Sequence, residues 1–263
     1  MDITTIQGNI NQEGFFIFAA ADSKYFDDYA KPLINSVLAN TPNYGIHIHI
    51  YDPRPDQIEY CNSKQKVSCT YEYLDHTQFE LVTDYWLTRT SFSNERQRQM
   101  YKKGKSNGRE FLLDLIKKTY YACTRFVRLN EILKPDQICL AIDVDGLVRK
   151  PFSYKLNPLA DFYLYEKPKD GTHLAGALLF TGNKGSVKFL NEYAAEIKLN
   201  IIQNELYWFL DQLILDTLVP KYAKGLLPMT YIDWAMKPES SIWSAKGPRK
   251  ELEIFKKEQQ RYV

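Results

Sequence analysis

Three features of the chain predict an α/β fold with a central, mostly parallel sheet flanked by helices. Short apolar runs of strand length alternate with longer segments of helical period. The first three of these segments form a β-α-β unit. Residues 138–142 make a mostly apolar run that ends on Asp143 and Asp145. Parallel neighbours need such alternation, because each crossover between them takes a dozen or more residues. With 263 residues the chain can bury a sizeable core as one large α/β domain or two small ones, and nothing in it forces two.

In chain order, residues 14–20 follow a polar leader and read as the first buried strand. Residues 29–40 then carry Leu33, Ile34, Val37 and Leu38 on one helical side, and Pro42 and Gly45 break the helix. Residues 46–51 alternate as a strand that stops at Asp52-Pro53. His47 and His49 share a face of that strand. With no third ligand near them in sequence, they read as ordinary strand histidines and not as a metal site. Residues 61–92 are mixed, with 67–74 the best strand candidate. The basic residues from Arg96 to Arg109 read as a solvated face or a loop, with a phosphate-binding patch as the alternative. Phe111, Leu112, Leu115, Ile116, Tyr120, Cys123 and Val127 repeat at helical spacing toward Pro135, so a long helix is expected to feed the 138–142 strand. Residues 161–165 and 175–180 read as two more strands. Val187 to Ile197 and Leu206 to Leu218 form two further apolar helical stripes. Residues 221–263 read as irregular up to a charged helix from about Arg249 or Lys250.

Composition excludes several classes. A net charge of +2 leaves no electrostatic footprint for a nucleic-acid partner, so a small molecule is expected instead. No basic-then-apolar segment opens the chain, and no apolar run approaches a membrane span, which points to a soluble, cytoplasmic protein. Cys61, Cys69, Cys123 and Cys139 lack Cys-x-x-Cys spacing and read as reduced thiols, the last two as small core residues.

The chemistry-bearing feature is the end of the 138–142 strand. Residues two apart in an extended chain share a face, so Asp143 and Asp145 can approach one cation. Two hard oxygen ligands without nearby His or Cys suit Mg²⁺ or Mn²⁺ better than Zn²⁺. The pair would equally open a turn before Gly146. Metal binding is the preferred reading, since open α/β sheets place ligands at such strand ends.

Six segments carry a family pattern in order and spacing: Phe16-Ile17-Phe18-Ala19-Ala20-Ala21-Asp22-Ser23-Lys24-Tyr25, Tyr121-Ala122-Cys123-Thr124-Arg125-Phe126, Asp143-Val144-Asp145, His173-Leu174-Ala175-Gly176, Trp208-Phe209-Leu210-Asp211-Gln212, and Ser244-Ala245-Lys246-Gly247-Pro248-Arg249-Lys250. Together they resemble the nucleotide-sugar glycosyltransferases of GT-A fold, especially the glycogenin-like and lipopolysaccharide-galactosyltransferase-like branch. The resemblance covers most of the chain. It implies a Rossmann-like GT-A domain with a nucleotide-binding half (1–145) and a donor-sugar and acceptor half (146–263). Ala20, Asp22 and Tyr25 are implied at the nucleoside. Arg125, with Arg128 as fallback, is implied near the sugar nucleotide. Asp143 and Asp145 are implied as the Asp-x-Asp ligands of Mn²⁺ (or Mg²⁺), with Val144 between them at the nucleotide. Lys246, Gly247 and Lys250 are implied over the diphosphate. His173, Ala175, Gly176, Asp211 and Gln212 are implied at the donor sugar. Ser244 stands where the family pattern has a metal-ligating His, and Leu174 stands where it has Asn.

The implied reaction moves a sugar from a nucleoside-diphosphate sugar, by resemblance a UDP-sugar, to an acceptor hydroxyl of a glycan, lipid or protein. Its leaving group gains negative charge as the sugar carbon gains cationic character, so a divalent ion and lysines at the diphosphate lower the barrier. Asp211 is the first candidate to act on the acceptor hydroxyl or the cationic carbon, with pinning of a helix start as its alternative role. Two rival readings are a haloacid-dehalogenase-like phosphatase built on Asp143-Val144-Asp145, and a non-catalytic sugar-nucleotide or glycan-binding module on the same fold.

Overall fold

A computed structural model describes residues 1–10, 12, 14–153, 156–157, 159–167, 171–228 and 230–263. Its strands in chain order are β1 (Gln7–Asn9), β2 (Phe15–Asp22), β3 (Gly45–Tyr51), β4 (Val67–Glu72), β5 (Ile138–Ile142), β6 (Gly146–Val148), β7 (Phe162–Glu166), β8 (His173–Phe180), β9 (Lys224–Leu226), β10 (Ile232–Asp233) and β11 (Ile242–Ser244). The helices are α1 (Ser23–Tyr25), α2 (Lys31–Asn40), α3 (Pro55–Asn62), α4 (His76–Thr88), α5 (Glu95–Asn107), α6 (Arg109–Ile132), α7 (Lys184–Ile202), α8 (Leu210–Leu218) and α9 (Glu253–Gln259).

Eight strands form one sheet in the order β1-β4-β3-β2-β5-β8-β7-β9. β4, β3, β2 and β5 run parallel, and β8 returns antiparallel against both β5 and β7. The sheet takes strands from both sides of residue 145. β6, β10 and β11 make a second, small sheet. Central strands buried on both faces need apolar residues at successive positions. Phe16 and Phe18 of β2 point into a core shared with α4 to α8, and Ile17 and Ala19 point into a second core shared with α2. A third, smaller cluster of Leu147, Met236, Trp243, Phe255 and Tyr262 seats α9 against the small sheet.

The expected strands and long helices are present, with four differences. A π-helical turn, Phe26–Ala30, links α1 to α2 in place of a simple helix start. The basic stretch is a helix, α5, separated from α6 by Gly108 at φ 91°. The helix expected from Leu206 begins only at Leu210, because Asn204 and Phe209 adopt left-handed backbone (φ 58° and 71°) and turn the chain. Residues 221–263 are more ordered than the sequence pattern implies, since β9, β10 and β11 lie there and α9 starts at Glu253. These strands are two or three residues long, too short to show periodicity.

Candidate active site

β2 and β5 end, and antiparallel β8 begins, along one edge of the sheet. Asp22, Asp143 and the His173-to-Gly176 segment therefore follow one another across three adjacent strands. A cavity of about 450 Å³ opens at this edge. Ala20, Asp22 and Tyr25 line it from β2 and α1, Asp143 to Asp145 from the turn after β5, and Lys246, Gly247 and Lys250 from the segment after β11. Arg125 and Asp211 complete its wall. Eleven of the residues implied by sequence thus meet in one cavity: Ala20, Asp22, Tyr25, Arg125, Asp143, Val144, Asp145, Asp211, Lys246, Gly247 and Lys250.

Each side chain is held by a local device. Asp22 caps α1, its Oδ1 accepting from the Tyr25 backbone N–H at 2.7 Å, which fixes Tyr25 beside it. Asp143 takes an ion pair from Arg125, whose other nitrogen donates to the Ala175 carbonyl at 3.0 Å. Gly176 makes room for Asp143 in this position, since a Cβ there would lie 2.5 Å from Asp143 Oδ2 and the carboxylate would have to shift. Lys250 bridges the two ends of the cavity: its Nζ lies 3.0 Å from Asp145 Oδ2 and donates to Tyr25 Oη at 2.7 Å. Arg125 also reaches Asp211 Oδ2 at 3.5 Å, so one guanidinium links the Asp143 turn to the start of α8.

The electrostatics follow from burial against these partners. Burial, then the Asp143 charge, pushes the Asp145 carboxyl above its ordinary pKa, and Lys250 opposes the rise. Burial likewise raises Asp211, opposed by Arg125 and Lys246. Burial alone would lower Lys250, but Asp145 and Tyr25 outweigh it and keep the ammonium charged. Arg125 is raised too, because Asp143 and Asp211 exceed its desolvation. Two carboxylates are thus crowded beside cations, with more negative charge than burial favours.

This donor set fits a hard divalent cation. Asp145 Oδ1 is buried and has no hydrogen-bond partner among the described residues, nor has Ser244 Oγ on β11. Asp145 and Ser244 sit at adjoining positions, for Gly146 pairs with Ser244 and the Ala245 N–H donates to the Asp145 carbonyl at 2.9 Å. Among the described residues, no group of three or more His, Cys, Asp and Glu side chains is placed to hold a metal ion. Asp143 and Asp145 alone would therefore leave coordination positions for ligand oxygens and water.

Other expected positions lie behind or away from the cavity. Gln212 Oε1 accepts from the Ala175 N–H at 2.9 Å, so Gln212, Ala175 and Gly176 form a layer behind Asp143 and Asp211. His173 is directed elsewhere: its Nδ1 is 2.9 Å from Asp216 Oδ1 and its Nε2 is 3.4 Å from Glu166 Oε2. The fallback Arg128 is buried against Glu72, at 2.5 Å, and does not line the cavity. Nor do the basic residues of α5, although the ring of Phe209, which does line it, lies 5.0 Å from the Arg96 guanidinium.

Sequence reasoning missed one wall. Asp114, Lys117, Lys118, Tyr121 and Ala122 of α6 line the cavity together with Arg125. Counted from Asp114 they fall at three, four, seven, eight and eleven residues, one helical stripe from which only Thr119 among the lining residues of α6 departs, and that mixed polar stripe was the available signal. Trp208 and Phe209 also line the cavity, without having been assigned a role.

No protein-family model matches the chain, and no curated protein matches it in sequence. Solved structures do match in three dimensions. A galactosyltransferase, LgtC, crystallised with donor and acceptor sugar analogs, superposes with TM-score 0.58 over 94% of this chain and 95% of its own, at 13% identity. The chain has the GT-A fold. The apo glycosyltransferase GlyE of Streptococcus pneumoniae TIGR4 matches at TM-score 0.60 and 13% identity over 95% of this chain and 60% of its own. The bifunctional glycosyltransferase WbbM matches at 0.55 and 12% over 95% and 50%. This GT-A chain therefore spans nearly all of LgtC but only about three-fifths of GlyE and half of WbbM. No helix among its described residues is long and apolar enough to cross a membrane.

Proposed function

We propose that this chain is a metal-dependent glycosyltransferase of hexosyltransferase type, transferring a sugar from a nucleoside-diphosphate sugar, a UDP-sugar, to an acceptor hydroxyl. The observation that carries the reading is Asp145: a buried carboxylate with one oxygen on Lys250 and the other without a partner among the described residues, next to Asp143 at the end of β5. The GT-A fold shared with three glycosyltransferases supports it. Nothing in the geometry favours a phosphatase, whose nucleophile would not be tied up by Arg125 as Asp143 is.

The nucleoside would lie against Asp22, Tyr25 and Tyr121, and the diphosphate between the Asp143-to-Asp145 turn and Lys246 and Lys250. Mn²⁺ or Mg²⁺ held by Asp143 and Asp145 would supply positive charge to the leaving diphosphate. Lys250 and Lys246 add fixed positive charge there, and their pre-set positions cost no reorganisation as the bond breaks. Arg125 holds Asp143 and Asp211 in one frame. Asp211, at the sugar end, is the carboxylate placed to accept the acceptor's proton or to face the cationic sugar carbon. We take residues 1–263 as one catalytic unit and place it in the cytoplasm, a reading supported by four buried free cysteines. Calorimetric titration of UDP with and without Mn²⁺ tests the assignment. Asp143→Ala and Asp145→Ala should each abolish the metal-dependent part of UDP binding while leaving the fold intact. Unchanged metal dependence in both variants overturns the site, and binding without Mn²⁺-dependent turnover of any UDP-sugar would favour a non-catalytic module.

A further inference from the structure

We propose that Trp208, backed by Phe209, is a stacking platform for a pyranose ring of the acceptor and selects which acceptor is used. The inference rests on the glycosyl-transfer reading above. It starts from the loop before α8, where every neighbour of Trp208 is pinned. Glu205 accepts from Arg89 Nη1 and Gln97 Nε2, both at 2.7 Å. Leu206 is fully buried, and Tyr207 is buried with its hydroxyl 3.4 Å from Asn94 Nδ2. Phe209 then takes left-handed backbone, φ 71° and ψ 19°, a conformation that costs a bulky residue free energy. That turn starts α8 and leaves Trp208 and Phe209 on the cavity wall.

The two rings are not equivalent. Phe209 already has cations near its ring, Arg96 at 5.0 Å and Lys246 at 5.6 Å. Trp208 is half-buried, its only aromatic neighbour among the described residues is Phe209 at 5.4 Å, and no described residue accepts from its indole N–H. An indole on a cavity wall between pinned neighbours, with a free donor on its edge, suits a ring that has an apolar C–H face and peripheral hydroxyls. A pyranose is such a ring.

The sheet edge indicates which sugar. Asp22 on β2, Asp143 just after β5 and Asp211 beside β8 read along the edge as nucleoside, diphosphate and donor-sugar positions. Asp211 is only 8% exposed, whereas Trp208, three residues earlier on the same cavity wall, is half-buried. With the donor sugar assigned to the more buried Asp211, the more accessible indole is left for the acceptor ring.

The test uses methyl pyranosides of glucose, galactose, mannose and N-acetylglucosamine, added to protein loaded with Mn²⁺ and a non-transferable UDP-hexose and followed by saturation-transfer NMR. At least one pyranoside should bind with saturation on the C–H protons of one face. Trp208→Ala should weaken it by about tenfold or more, and Trp208→Phe should restore it to within about threefold. UDP affinity should change by less than about twofold in either variant. No pyranoside bound by the wild type, or equal binding by Trp208→Ala, overturns the proposal. So does a pyranoside that binds only when the UDP-hexose is omitted, since the ring would then occupy the donor position. Failure of the wild type to bind UDP would instead sink the glycosyl-transfer reading, and that is read separately in the UDP titration.

Discussion

Lys250 is the residue on which the two ends of the site depend, since one ammonium touches both Asp145 and Tyr25. A charged nitrogen placed at a diphosphate makes charge-assisted bonds that a nucleoside cannot use. Lys250→Ala should weaken UDP by about 10- to 100-fold and uridine by only about threefold, as competitive titrations of the two would show. Equal losses would make Lys250 a structural residue. Gly176 offers a complementary probe, because its missing side chain leaves room for Asp143 Oδ2. Gly176→Ala should displace that carboxylate and cost Mn²⁺-dependent UDP affinity about tenfold or more with the circular dichroism of the fold retained. Wild-type UDP affinity with Mn²⁺ in this variant would show that Asp143 has freedom to move. The Asp pair was legible in the residues themselves, since a strand ending on acids is a local pattern, whereas Lys250 was reached through the resemblance of its Gly-x-x-Lys segment. Gly176 was legible only through resemblance.

At the scale of elements, β3 and β4 carry a buried polar ladder that does no chemistry at the cavity. His47 Nδ1 and Nε2 lie 2.7 and 2.9 Å from Ser68 Oγ and Thr70 Oγ1, and His49 Nε2 lies 3.1 Å from Glu72 Oε1. Glu72 is in turn paired with Arg128 of α6. Both histidines are spent on strand-to-strand hydrogen bonds, and their burial has a consequence in pH. Burial pushes His47 down to about 3, against about 6.5 in an unfolded chain. The unfolded state then binds the proton first, so the contribution of His47 is complete above about pH 6.5 and falls by about 1.4 kcal/mol per unit as pH drops toward 3. His49 is lowered as well, by burial against the opposing Glu72. Urea melts at pH 7.5 and pH 5 should show wild-type stability falling by about 2 kcal/mol or more, and His47→Gln should flatten that slope. A slope unchanged by His47→Gln would mean the imidazole is charged in the folded state.

At the scale of the molecule, the site is assembled from segments more than two hundred residues apart, since Tyr25 and Lys250 meet across it. Asp145 has one oxygen without a partner, and the described residues place no third His, Cys, Asp or Glu beside the pair. Metal alone should therefore bind weakly, and metal and nucleotide should each tighten the other. Thermodynamic linkage requires the two factors to be equal. Mn²⁺ titrated with and without UDP, and UDP with and without Mn²⁺, should give the same ratio of about tenfold or more. Tight Mn²⁺ binding by the nucleotide-free protein would point to a further ligand, with Ser244 the first residue to mutate.

The α/β class, the central β2-to-β5 strands and the acids at the end of β5 were legible in the residues alone, because burial on both faces and strand-end acids leave short-range patterns. That Asp143 to Asp145 turn, instead of continuing extended, was the alternative reading. The resemblance to GT-A glycosyltransferases, and not the residues alone, implied Asp22, Tyr25, Arg125, Lys246, Gly247 and Lys250, and these meet in one cavity. Only the tertiary structure decided the rest. Trp208 reaches the cavity because Phe209 turns left-handed and delays α8. His173 is drawn away by Asp216 of α8, 43 residues on, and by Glu166, its partner across the β7-β8 pairing. β9 and the small sheet of β6, β10 and β11 exist through pairing with distant strands. The physical reason is common to all three. A residue's own neighbours fix its local propensity, but which side chains share a cavity depends on contacts between segments whose separation no periodicity records.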